Sequence, residues 1–189
     1  MRERHNYKLM RKCQIKYYQV GVLSRMYLLL PSLLLLHLTA LILLYVATIN
    51  NSWWWYGQGM TGDLWRHCWF SDLENSWDCN SSLVSGGEEW LHAVQASMVI
   101  AVMFSTASFV IFLCQLYTLR RGSLFYATGL FQIFAGLCLM AAALIYTLHV
   151  MDIHQDSTGS FSYCFALAWI AFALTLSSGV MYIHLRKLE

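Results

Sequence analysis

Four stretches of this 189-residue chain, 27–49, 93–119, 123–148 and 161–183, contain no Asp, Glu, Lys or Arg. Each is long enough to cross a hydrocarbon core, which takes roughly 20 apolar residues as helix. Composition agrees, with 58% of residues hydrophobic and 12% charged and a mean hydropathy of +0.49. An ordinary soluble domain is excluded. The pattern predicts spans at 26–49, 93–119, 123–148 and 161–185, loops at 50–92 and 149–160, a turn at 120–122, and tails at 1–25 and 186–189. The first stretch follows a basic segment, as a signal peptide would, but its 23 residues exceed the about 7–15 of such an apolar region. It is read as a retained span.

Basic residues set the orientation, because Lys and Arg beside spans stay on the cytoplasmic side. Eleven of the 12 fall on one side: seven before the first span, then Arg120, Arg121, Arg186 and Lys187. The other side holds eight of the ten acids and only Arg66. Both termini are therefore expected in the cytoplasm. The tail 1–25 shows no clear amphipathic period and reads as a disordered segment able to engage anionic inner-leaflet lipid, at about 1 kcal/mol per Lys or Arg near the surface. Nucleic acid is not an expected partner.

Ionisable groups inside a membrane mark transport paths or proton relays. The spans offer only His37, Gln95, Gln115 and Gln132 as strongly polar groups, which argues against a pump or ion-coupled transporter. No nucleophile–base motif appears. Among possible metal ligands, His67, Cys68, Cys79, His149 and His154 lack the paired short spacings of a metal site. Neither a metal nor a cofactor is expected.

The first outer loop carries "GDLWRHCWFSDLENSWDC", 62–79. Cys68 and Cys79 are the only cysteines of the outer compartment, and a disulfide closing that short loop contributes about 3 kcal/mol in the entropy model. Two N-x-[ST] sequons occur, at Asn50 and Asn80. Asn50 adjoins the end of a span, where the bilayer hinders the transferase, so Asn80 is the expected acceptor. In the third span Gly122, Gly129, Gly136 and Ala143 recur every seven residues. Such a stripe lets helix backbones approach, within the bundle first and at a homo-oligomer seam second.

Trp54, then Leu64-Trp65, then Cys68 and Cys79 resemble the signature of the claudin and peripheral myelin protein superfamily. Further segments, "EEWLHAVQASM", "FLCQLYTLRRGSLFYATGLFQI" and "ALIYTLH", are similar to the epithelial membrane proteins, and the likeness covers about 26–187. Asp63, where claudins usually have Gly, favours the epithelial and myelin branch. The resemblance implies a claudin-like fold: an all-α membrane protein, a left-handed four-helix bundle, carrying a small extracellular β-sheet built from the first loop with a strand from the second. It implies that Trp54, Leu64, Trp65 and the two cysteines are structural anchors, and that Leu64 and Trp65 set the sheet on the outer membrane boundary. It also implies a non-enzymatic plasma-membrane protein that organises receptors or adhesion proteins in cell–cell contact, proliferation control, membrane blebbing and cell death. A claudin-like paracellular barrier or cation pore is the alternative.

Because only the outer compartment glycosylates, Asn80→Gln is expected to remove the endoglycosidase-sensitive mobility shift of the chain expressed in cells. A full shift in that variant would contradict the acceptor assignment, and no shift in the parent chain would contradict the placement of the loop.

Overall fold

Helices dominate because a backbone in hydrocarbon must satisfy its own N–H and C=O groups. In the computed structural model the described residues are 29–50, 52–56, 60–62, 64–71, 76–81, 89–118, 123–153 and 159–188. The tail 1–25 and Gly122 lie outside them. Four helices are apolar and long enough to cross a membrane: α1 (Leu29–Ile49), α2 (Glu89–Thr118), α3 (Ser123–Ile153) and α4 (Tyr163–Leu188). α2 and α3 outrun the apolar stretches that reveal them. α2 begins at Glu89 rather than 93, and an acid in the first turn suits the positive end of the helix dipole. α3 continues past 148 to Ile153, because Val150 is buried and the ring of His149 stacks on Trp90 at 5.4 Å. Hydrophobicity marks the bilayer; the hydrogen-bonded helix stops only where packing stops.

Between the helices lies a five-stranded sheet of order β4-β3-β2-β1-β5. Its strands are β1 (Trp54–Tyr56), β2 (Met60–Gly62), β3 (Arg66–Ser71), β4 (Ser76–Ser81) and β5 (Gly159–Phe161). All pairings are antiparallel. The first loop supplies β1 to β4 and the second supplies β5. α4 starts at Tyr163 rather than at 161 because Gly159–Phe161 is committed to pairing with β1.

Side chains on directly opposed residues share a face, so the register defines two rows. Phe161, Trp54 and Gly62 are aligned in one; Ser160 and Trp55 in the other. Trp54 and Gly62 are buried whereas Trp55 and Ser160 are exposed. Trp54 and Gly62 therefore face the bundle.

Apolar packing divides in two. A large cluster at the sheet end includes Leu44, Met98, Leu139, Ala168 and Trp53, and a smaller one at the opposite end is formed by Leu33, Phe112, Phe125, Tyr182 and Leu185. The outer surface is equally apolar, with Leu35 and Met103 each 64% exposed, as lipid contact requires. Lipid gives such surfaces no reason to associate, so close backbone approach must hold the helices together. At Gly129 a methyl group would lie 2.8 Å from Ile183 Cγ1 and 3.0 Å from the Gly179 carbonyl oxygen. At Gly136 its three nearest neighbours would all be side-chain atoms of Leu176 and Thr175, the closest at 2.9 Å. Gly129 and Gly136 thus spend their face on α4, and Ala143 is buried.

The two glycines should differ on substitution. Gly129→Ala must push back a backbone carbonyl, an overpacking cost of about 1–3 kcal/mol, whereas in Gly136→Ala a flexible leucine yields and the helix-propensity gain of about 1 kcal/mol offsets the crowding. Thermal unfolding in detergent is expected to show Gly129→Ala clearly lowered and Gly136→Ala near the parent. Equal effects would overturn the backbone-contact argument.

Candidate functional site

The last carbonyls of a helix have no partner in the helix itself. At the C-terminus of α1 these groups emerge where the membrane core ends, and Val46, Ala47 and Thr48 each find a different donor. The Val46 carbonyl accepts from the Asn50 backbone N–H at 3.0 Å. The Ala47 carbonyl accepts from Trp53 Nε1 at 2.7 Å, and that of Thr48 from Trp65 Nε1 at 2.6 Å. Two indoles from the sheet therefore cap the helix.

Each indole is placed by its own local geometry. Trp53 just precedes β1 and already continues its ladder, its N–H donating to the Gly62 carbonyl at 3.1 Å and its carbonyl accepting from Ser162 N–H at 3.0 Å. Its side chain is fully buried against Tyr146, ring centroids 4.9 Å apart, and Phe165, 6.1 Å. Leu64 and Trp65 form the bend between β2 and β3, so this turn dips toward the bundle. Leu64 is fully buried, and its carbonyl accepts from Gln95 Nε2 on α2 at 2.5 Å. Gln95 is oriented in turn by His92, Nδ1 to Oε1 3.1 Å.

The second loop joins the same anchor. Trp54 packs edge-on to Phe161 at 4.9 Å, and Phe161 stacks on Phe165 at 4.3 Å. Gly159 lies so close to the Trp54 indole that any side chain there would collide with it. Asn50 Nδ2 donates to Tyr163 Oη at 2.7 Å, linking the end of α1 to the start of α4.

The residues singled out from sequence thus fall into distinct places. Trp54, Leu64 and Trp65 converge on the bundle end, and Gly129 and Gly136 lie on the α3–α4 contact. Cys68 on β3 is the register partner of Cys79 on β4, and such directly opposed strand positions are about 4.5–5.5 Å apart at Cα, within the span of a disulfide. Asn80 is on the terminal strand β4 opposite His67. Two anchors were missed: Trp53, indistinguishable by type from Trp54 and Trp55, and Gln95, counted only as a polar residue in a span. A clue was present for Gln95, since an amide in the first two turns of a span is placed to meet interfacial backbone.

A multi-pass membrane protein with an antiparallel sheet locked onto one end of a four-helix bundle is the class these features define. Within that class, the chain belongs to the PMP-22/EMP/MP20/Claudin family, whose model matches residues 26–182. It is 47% identical to "Epithelial membrane protein 3" of Rattus norvegicus over 156 residues, 82% of this chain and 94% of that one. The human protein of that name is 46% identical over the same shares, and human "Epithelial membrane protein 2" 38% over 171 residues, 86% of this chain and 99% of that one.

Trp65→Phe keeps most of the ring and removes only the N–H, leaving the Thr48 carbonyl without its indole donor. A buried acceptor left unpaired costs about 1–3 kcal/mol. The variant should unfold at lower temperature than the parent in the same detergent. An unchanged midpoint would show that water replaces the indole at no cost.

Proposed function

We propose that this chain is a non-enzymatic plasma-membrane protein of the epithelial membrane protein type, with both termini cytoplasmic and the sheet outside. It gathers receptors or adhesion proteins laterally, and acts through them in cell–cell contact, proliferation control, membrane blebbing and cell death. The observation that carries this reading is the anchoring of the sheet: it is fixed to the bundle as a rigid platform, over an interior filled by apolar side chains such as Leu44, Met98 and Leu139. No Asp, Glu, Lys or Arg stands in the apolar stretches to line a path through one subunit. The orientation is supported by the asymmetry of basic residues.

Further parts of the proposal concern the sheet itself. Cys68 and Cys79 form a disulfide that ties β3 to the edge strand β4, supported by their register; recovery of both as free thiols in non-reducing peptide mapping would remove it. Asn80 carries the glycan, and Asn50, whose amide nitrogen binds Tyr163, serves as a clamp instead.

Proximity labelling from a cytoplasmic tag in living cells tests the organiser role, with receptors and adhesion proteins expected among the enriched neighbours and junction scaffolds alone counting against it. Expression in an epithelial layer with few claudins should leave transepithelial resistance and sodium-to-chloride selectivity unchanged. A cation conductance abolished by changing Asp72, Glu74 and Asp78 to Asn, Gln and Asn would put the paracellular pore first.

A further inference from the structure

Deeper in the bundle, polar groups meet one another rather than the sheet. His37, fully buried on α1, has Nδ1 2.8 Å from Tyr182 Oη on α4 and Nε2 3.3 Å from the Ser105 carbonyl oxygen on α2. A carbonyl can only accept, so Nε2 carries the proton and Nδ1 accepts from the tyrosine hydroxyl. Ser105 Oγ is 3.3 Å from Gln132 Oε1 on α3. One connected set of polar groups therefore crosses all four helices, away from the sheet and beside the smaller apolar cluster to which Tyr182 belongs.

The set does not close on itself. Gln132 Nε2 meets no hydrogen-bond partner among the described residues, and neither does Thr175 Oγ1 on α4, whose methyl faces Gly136 one turn from Gln132; neither residue has exposed surface. Exchanging the oxygen and nitrogen of the Gln132 amide does not help. Ser105 Oγ can donate or accept, so either orientation leaves one end of the amide orphaned. Buried polar groups are normally satisfied by protein or by ordered water. Every nearby member of this set is neutral, with no Asp, Glu, Lys or Arg in any of the four apolar stretches, which selects a small uncharged hydrogen-bonding ligand over an ion.

We propose that this layer is a hydration site, in which ordered water bonds the free end of the Gln132 amide and the Thr175 hydroxyl. The Tyr182 oxygen, having donated its proton to His37, keeps a lone pair able to accept from water in this layer. Two to four polar partners are what a buried water requires. The bundle interior is then wet at one level and dry at the next.

Hydroxyl-radical labelling by X-ray pulses, on the full chain in lipid nanodiscs, reads this directly because radicals arise at bound water. Normalised to intrinsic reactivity, His37 and Tyr182 are expected to label at least about tenfold faster than Met98, which is equally buried but sits in the apolar cluster. Gln132→Met, of similar volume, should keep the fold and lower labelling at Tyr182 by about tenfold. Labelling of His37 and Tyr182 no faster than Met98 would show a dry layer and overturn the proposal, as would unchanged labelling in a folded Gln132→Met. Should that variant not fold, the wild-type comparison alone decides.

Discussion

Two indole N–H groups close the last turn of α1, and most of the molecule's outer architecture depends on that closure. The carbonyls of Ala47 and Thr48 emerge where hydrocarbon ends and water is scarce, so they demand donors. Trp53, just before β1, and Trp65, just after β2, reach them from the open end of the β1–β2 hairpin. Tryptophan suits the task because an apolar ring and a single donor fit a boundary that is apolar on one side and polar on the other. Lysine would also donate, but with a charge that the buried site of Trp53 could not solvate. Both indoles tie the hairpin to α1, and Gln95 holds the bend that carries Trp65 through the Leu64 carbonyl.

The same logic distributes polar groups through the helices. In water, interior polar groups compete with solvent; in a bilayer they must be satisfied within the bundle. Thr48 bonds the Leu44 carbonyl, Thr106 that of Val102 and Thr147 that of Ala143, returning hydroxyls to their own helices at no cost to the lipid-facing surface. Other polar residues cross between helices, His37 of α1 to Tyr182 of α4 and Ser108 of α2 to the Thr128 carbonyl of α3 at 2.9 Å, while glycine contacts draw α3 and α4 together. Close approach and interhelical bonding reinforce one another, since short side chains reach across only when backbones are near.

How much of this was legible in the sequence varies with the physics of each part. The spans could be read because the absence of charge over more than 20 residues has one strong cause. Their ends could not, because His149 and Trp90 extend the helices by packing on each other, a tertiary effect invisible to hydropathy. The sheet rested on resemblance: β1, β2 and β5 have three residues each, too few to show alternation. The run Trp53-Trp54-Trp55 shows the difficulty at its sharpest. Residues 53 and 55 would share a face in a regular strand, yet Trp53 is fully buried and Trp55 is 49% exposed. Trp53 lies before the strand and turns inward to the α1 carbonyl, so identity and periodicity together could not distinguish the deep anchor from its exposed neighbour.

The shortness of these strands bears on how the sheet can exist at all. Isolated hairpins are marginal in water, and a sheet needs a covered apolar face to persist. Here the cover for Trp54 and Gly62 comes from the bundle end, while Phe161 and Phe165 belong both to the second loop and to the top of α4. The sheet has no core of its own to fold around. Its strands β1 and β5, adjacent in the sheet, are separated in sequence by α2 and α3, so their pairing requires those helices to bring the two loops to the same side of the membrane. Correct membrane assembly is therefore a precondition of the surface that the protein presents. A defect buried in the α3–α4 contact, such as a side chain placed at Gly129 or Gly179, acts on that surface without touching it.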